Sequence, residues 1–170
     1  MNRPSSVEEN MGRTTDEATP VIAHLLSDPF ADLPFTCIKQ YFLTFNSGDF
    51  EATSVLFAED GVLFPPFEDG ILGPEAIATY LKAEASGMQL NPRTATLYPL
   101  EDTPPQPGQK VEVKGIVKTP LFGVPVRWIF RVDAGDRICS VGIQLLASLG
   151  ELLQLRPQAV QGKLVESDVE

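Results

Sequence analysis

With 170 residues, 43% of them hydrophobic, the chain is long enough for one domain with a real core and too short for two comfortable ones. Thirteen Lys and Arg against 23 Asp and Glu leave a net charge of −10, which repels bare phosphate backbones and anionic membrane surfaces, so no nucleic acid is expected as a partner. Two cysteines without a CxxC spacing and a lone His24 give neither a disulfide framework nor a recognisable zinc site.

Residues 1–20 are polar and aperiodic with no apolar h-region, the composition of a disordered arm rather than a secretory signal. No apolar run approaches membrane-spanning length, and a reducing, cytoplasmic setting is expected. A helix is predicted over 34–46, where Ile38, Tyr41, Phe42 and Phe45 recur at helical spacing; SerGlyAsp at 47–49 stops it and caps the next. A second helix over 50–57 leads through a turn at Asp60 and Gly61 into a strand at 62–64 that two prolines interrupt. Gly73 and Pro74 open a third helix reaching Gly87, with Ile77, Tyr80 and Leu81 on one face.

From there the pattern is β. In the second strand after that helix Val111, Val113, Gly115 and Val117 share one face, opposite Lys110, Glu112, Lys114 and Lys118. The next alternates Val124, Val126, Trp128, Phe130 and Val132 against Arg127 and Arg131, so Trp128 points to the core. The last puts Cys139, Val141, Ile143 and Leu145 on one face. TPPQPG at 103–108 reads as a long turn, and residues 157–170 as a mobile C-terminal tail. Helices followed by antiparallel strands predict an α+β domain over 21–156.

Tyr41 and Trp128 stand out because the other inward positions near them are hydrocarbon. On periodicity alone both are ordinary core residues. A phenol O–H and an indole N–H are nevertheless neutral donors, and together they satisfy the two lone pairs of one buried carbonyl oxygen. Each bond contributes about 1 kcal/mol, whereas burying ~300 Å² of apolar ligand contributes about 7 kcal/mol. Cys37 and Cys139 read as small core hydrophobes, Asp49 as the cap of the second helix, and Glu84 as a solvated helix-end acid.

The runs YFLTFNSGDFEA (41–52), LFAEDGVLFPPF (56–67) and GPEAI (73–77) resemble the nuclear-transport-factor-2-like superfamily. Within it, they resemble the C-terminal domain of the cyanobacterial orange carotenoid protein, and KTP (118–120), VRWIF (126–130) and IQLLASLGELL (143–153) continue the resemblance in register. It implies a cone-shaped fold, with N-terminal helices packed on a curved, mostly antiparallel sheet. It also implies a free-standing homologue that carries a ketocarotenoid of the canthaxanthin or echinenone type, for photoprotection by singlet-oxygen quenching.

Carried over by position, Tyr41 and Trp128 hold the keto oxygen, and Phe45, Val117, Pro120, Leu121, Val126, Ile143 and Leu145 form the apolar lining. Leu121 departs from an aromatic that stacks on the pigment ring in the full-length family, and Phe122 replaces a cysteine that several relatives use between subunits. The implied partners are a second copy in a homodimer and helical proteins resembling the family's N-terminal domain, with transient membrane contact for pigment loading.

Two rivals use the same fold. A ketosteroid-isomerase-like or dehydratase enzyme needs a general base inside the cavity, and the inward strand positions offer Val, Ile, Leu and Phe but no carboxylate. A ligand-free dimerisation module needs only a filled core. Neither a catalytic residue nor a metal ligand is expected.

Overall fold

The computed structural model describes residues 28–99, 108–147 and 150. The arm expected at 1–20, the tail at 157–170, both ends of the 21–156 domain and nearly all of the 103–108 turn lie outside the described residues.

Helix α1 (Thr36–Asn46) buries Cys37, Ile38, Tyr41, Phe42 and Phe45. That stripe is wide enough to seat the helix on a sheet. Its end is the one expected: Gly48 takes a positive φ of 77°, Gly48 N donates to Phe45 O (2.9 Å) and Asp49 N donates to Thr44 O (3.0 Å), the paired bonds of a Schellman motif. Asp49 then caps α2 (Phe50–Ser54), its side chain accepting from Ala52 N at 2.9 Å.

Helix α2 ends three residues short of the expected Phe57. The hydroxyls of Thr53 and Ser54 bond back to Asp49 O and Glu51 O, and Phe57 is taken by the sheet. Strand β1 (Phe57–Phe64) therefore starts earlier than the pattern suggested, and Asp60 and Gly61 sit in a bulge inside it rather than in a turn. Gly61 is required there, since a Cβ would lie 2.8 Å from Ala58 O and 2.9 Å from Ile138 O.

The short β2 (Ile71–Leu72) has no periodic signal and was not expected. Helix α3 (Pro74–Glu84) ends before Gly87, which turns the chain into β3 (Gln89–Leu97) with a φ of 79°. Strands β4 (Gln109–Lys118), β5 (Gly123–Val132) and β6 (Ile138–Leu145) follow. The sheet order is β2-β1-β6-β5-β4-β3, antiparallel throughout except for the parallel pair β1 and β6. This is the expected α+β arrangement of helices on a mostly antiparallel sheet. Among the described residues no helix is long and apolar enough to cross a membrane.

The core lies between α1, α3 and the inner face of β4, β5 and β6. Aromatic edges lock α1 to β5: Phe42 meets Trp128 at 5.0 Å and Tyr41 meets Phe130 at 5.3 Å, both nearly perpendicular. One alternation-based expectation fails. The register of β6 against β5 shifts between Arg131 and Val132, so Ile138 takes the core place and Cys139 is only half-buried. Glu112 lies on the outer side of the sheet, as its alternation predicts, yet is only 7% exposed, with Lys114 Nζ at 3.1 Å and Arg127 Nη1 at 3.4 Å.

The start of α1 has no local cap, because its N-cap residue is Phe35. Asp136, in the β5–β6 turn, supplies one from a distance. Its carboxylate accepts from Thr36 N and Cys37 N at 3.2 Å each and from the Thr36 hydroxyl. Burial raises the Asp136 pKa, and the hydrogen bonds from Thr36 and Cys37 more than reverse this, holding it below its ordinary value. A carboxyl depressed in the folded state stabilises above its unfolded pKa and loses that contribution as pH falls through the folded one. Asp136→Ala is expected to cost about 1–2 kcal/mol at neutral pH, and the deficit should shrink as pH drops below about 4 in urea titrations of both proteins.

Candidate functional site

Tyr41 and Phe45 of α1, Val117 of β4, Val126 and Trp128 of β5, and Ile143 and Leu145 of β6 all line one cavity of about 240 Å³. Helical spacing on α1 and two-residue alternation on the strands bring them together. The wall is completed by Leu63, Pro65 and Pro66 at the end of β1, by Tyr80, Leu81, Glu84 and Ala85 at α3, and by Met88, Leu90, Thr119 and Val124. Tyr41 and Trp128 are fully buried, whereas Glu84 is exposed and Tyr80, Met88 and Thr119 are partly so, which sets the mouth of the cavity at that end.

Neither Tyr41 Oη nor Trp128 Nε1 has a hydrogen-bond partner among the described residues. An unpaired buried donor costs about 1–3 kcal/mol, and native structures rarely leave two beside one void. Burial pushes the Tyr41 phenol pKa up, so the hydroxyl keeps its proton at neutral pH. The indole N–H can only donate. Two such donors in a hydrocarbon cavity match a neutral acceptor; a carboxylate would lose too much solvation there.

Pro120 and Leu121 do not line the cavity, contrary to expectation. Thr119 N donates to Phe122 O (2.9 Å), closing a tight hairpin between β4 and β5 whose tip is Pro120 and Leu121, and Leu121 is 73% exposed. Phe122 is partly buried against the core. The residues missed by sequence reading are mainly those of the mouth. The prolines had read only as a strand interruption, and Met88 lies in the turn before β3.

At the mouth, Tyr80 Oη donates to Glu68 Oε1 at 3.1 Å. Burial, then Glu68, then Glu84, pushes the Tyr80 pKa up to about 12. Glu84 is the carboxylate that lines the cavity, at its exposed end. Among the described residues no cluster of three or more His, Cys, Asp or Glu is suited to a metal ion. Burial raises the pKa of Cys37 and, less deeply, of Cys139, with Asp136 adding to the first and Asp133 and Asp60 to the second; neither thiol is activated.

No protein-family model matches the chain. Over 122 residues it is 36% identical to the orange carotenoid-binding protein of Limnospira maxima, covering 69% of this chain and 37% of that protein. The solved structure of the orange carotenoid protein of Anabaena (Nostoc) sp. PCC 7120, which binds canthaxanthin, is 34% identical with a TM-score of 0.60, covering 70% of this chain and 38% of that one. The chain thus spans a little over a third of the length of these relatives. The epoxide hydrolase/cyclase-like enzyme SalBIII, at 18% identity and a TM-score of 0.52, covers 64% of this chain and 87% of its own, and shows the fold alone.

Tyr41→Phe removes an unpaired hydroxyl at little change in volume. In the ligand-free protein it is expected to be at least as stable as wild type by urea titration; a loss above about 1 kcal/mol would reveal a protein partner for the hydroxyl.

Proposed function

This chain is a homologue of the C-terminal domain of the orange carotenoid-binding proteins, and on that premise we propose that it is a ketocarotenoid carrier rather than an enzyme. The observation that carries the reading is the pair of buried, unpartnered donors, Tyr41 Oη and Trp128 Nε1, beside one cavity otherwise lined almost wholly by hydrocarbon. Both donate to the keto oxygen of one pigment end ring, of the canthaxanthin or echinenone type. Phe45, Val117, Val126, Ile143 and Leu145 pack on the ring and the first polyene carbons.

A cavity of about 240 Å³ falls below the range of ~300–1,000 Å³ in which whole drug-sized ligands are held, so most of a long polyene must emerge from the mouth. A second copy of the chain covers that part in a homodimer, and a helical carotenoid-binding protein receives the pigment on transfer. Quenching of singlet oxygen is the photoprotective role of the bound pigment. For an isomerase or dehydratase, the carboxylate among the described lining residues is Glu84, which is exposed at the rim, whereas Tyr41 and Trp128 are fully buried.

Hydrogen bonding draws electron density toward the bound oxygen, stabilises the charge-separated excited state and moves absorption to the red. Co-expression with a ketocarotenoid pathway is expected to yield a coloured protein. Tyr41→Phe and Trp128→Phe should each blue-shift the visible band and weaken binding about five- to tenfold. A colourless product that turns over an enolisable ketone would establish the enzyme instead.

A further inference from the structure

The loop between β1 and β2 forms part of the cavity wall and is also tied to α3 through Tyr80, another wall residue. Pro65 and Pro66 line the cavity, and the next residue, Phe67, is 80% exposed with a φ of 64°. That conformation crowds a Cβ-bearing residue, and so exposed a ring has little packing to offset the strain. Two consecutive prolines stiffen the first half of the loop. Its far end passes beneath Phe64, whose ring leaves no room for a Cβ at Gly70, the nearest atom being 2.7 Å from where one would stand.

What opposes the strain is the neighbouring residue. Glu68 accepts the hydrogen bond from Tyr80 Oη at 3.1 Å, joining the loop to α3. Tyr80 itself separates two spaces: it lines the inner cavity and also an open groove formed with Ile71, Leu72, Pro74 and Thr79. Beyond buried Pro65, the exposed part of the loop, residues 67–70, is thus tied to α3 by one exposed hydrogen bond against a strained backbone, beside the entrance.

We propose that residues 65–70 are a strap over the mouth, closed by the Tyr80–Glu68 hydrogen bond, and that its opening sets how fast an apolar ligand enters and leaves. The inference rests on the cavity being a ligand site and not on which ligand it takes. The strap acts on rates, while the polar end of the ligand is held elsewhere, so loosening it leaves the environment of Tyr41 and Trp128 unchanged.

The test follows uptake of N-phenyl-1-naphthylamine, a neutral apolar fluorophore, by stopped flow, and uptake of canthaxanthin by its visible band. Tyr80→Phe keeps the ring in the wall and removes the bond; Glu68→Ala removes the acceptor; Glu68→Gln keeps an amide oxygen that still accepts. Fluorophore entry and release should accelerate about five- to tenfold in the first two and stay within twofold of wild type in the third. The absorption maximum of any bound canthaxanthin should not move. Unchanged fluorophore rates in Tyr80→Phe and Glu68→Ala overturn the strap, as does equal acceleration in Glu68→Gln, which would assign the closure to charge. Fluorophore uptake with no canthaxanthin uptake overturns the pigment reading and leaves the strap standing. No uptake of either by wild type overturns both.

Discussion

Two hydrogen-bond donors kept out of water without an acceptor among the described residues are the constraint around which the site is arranged. A fold of this size has only a small net stability, and each unpaired donor takes a noticeable share of it. No oxygen of the described residues bonds to either of them. A Phe at position 41 would fill the same space without the hydroxyl. The proposed acceptor that arrives from outside would pair the phenol and the indole, and the hydrocarbon of Val126, Ile143 and Leu145 suits an apolar body attached to it.

Their placement depends on contacts made far away in the chain. Helix α1 reaches β5 through perpendicular aromatic contacts, and its first turn is completed by a carboxylate one hundred residues later in sequence. Asp133 organises the same β5–β6 turn by accepting from Gly135 N and Arg137 N. The helix that carries Tyr41 and the strand that carries Trp128 are thus referenced to one rigid corner. A site built on such elements is held more precisely than one built on loops alone.

Much of this was legible in one dimension. The stripe on α1 and the alternation along β4 and β5 are local periodicities, so the inward direction of Tyr41, Phe45, Val126 and Trp128 could be read from spacing alone. The end of α1 at Gly48 and the cap at Asp49 were equally local. What escaped depends on partners distant in sequence. The bulge that puts Asp60 and Gly61 into β1 exists because that strand is pulled into register with β6. The displacement of Cys139 from the core arises from a slip against β5. Pro120 and Leu121 are the local exception: the resemblance places them in the lining, and the short-range bond between Thr119 and Phe122 puts them at a hairpin tip instead. Glu112 is covered because charged neighbours on the same sheet face fold over it.

The parallel pairing of β1 with β6 has a consequence for how the protein comes into being. Residues 57–64 find their parallel partner only when residues 138–142 are available, so β1 cannot join β6 until β2 to β5 have emerged. Contacts of such long sequence separation carry a loop-closure cost and slow the search for the native state. On a nascent chain the chamber therefore lacks a finished wall until residues 138–145, which carry Ile143 and Leu145 of its lining, have emerged.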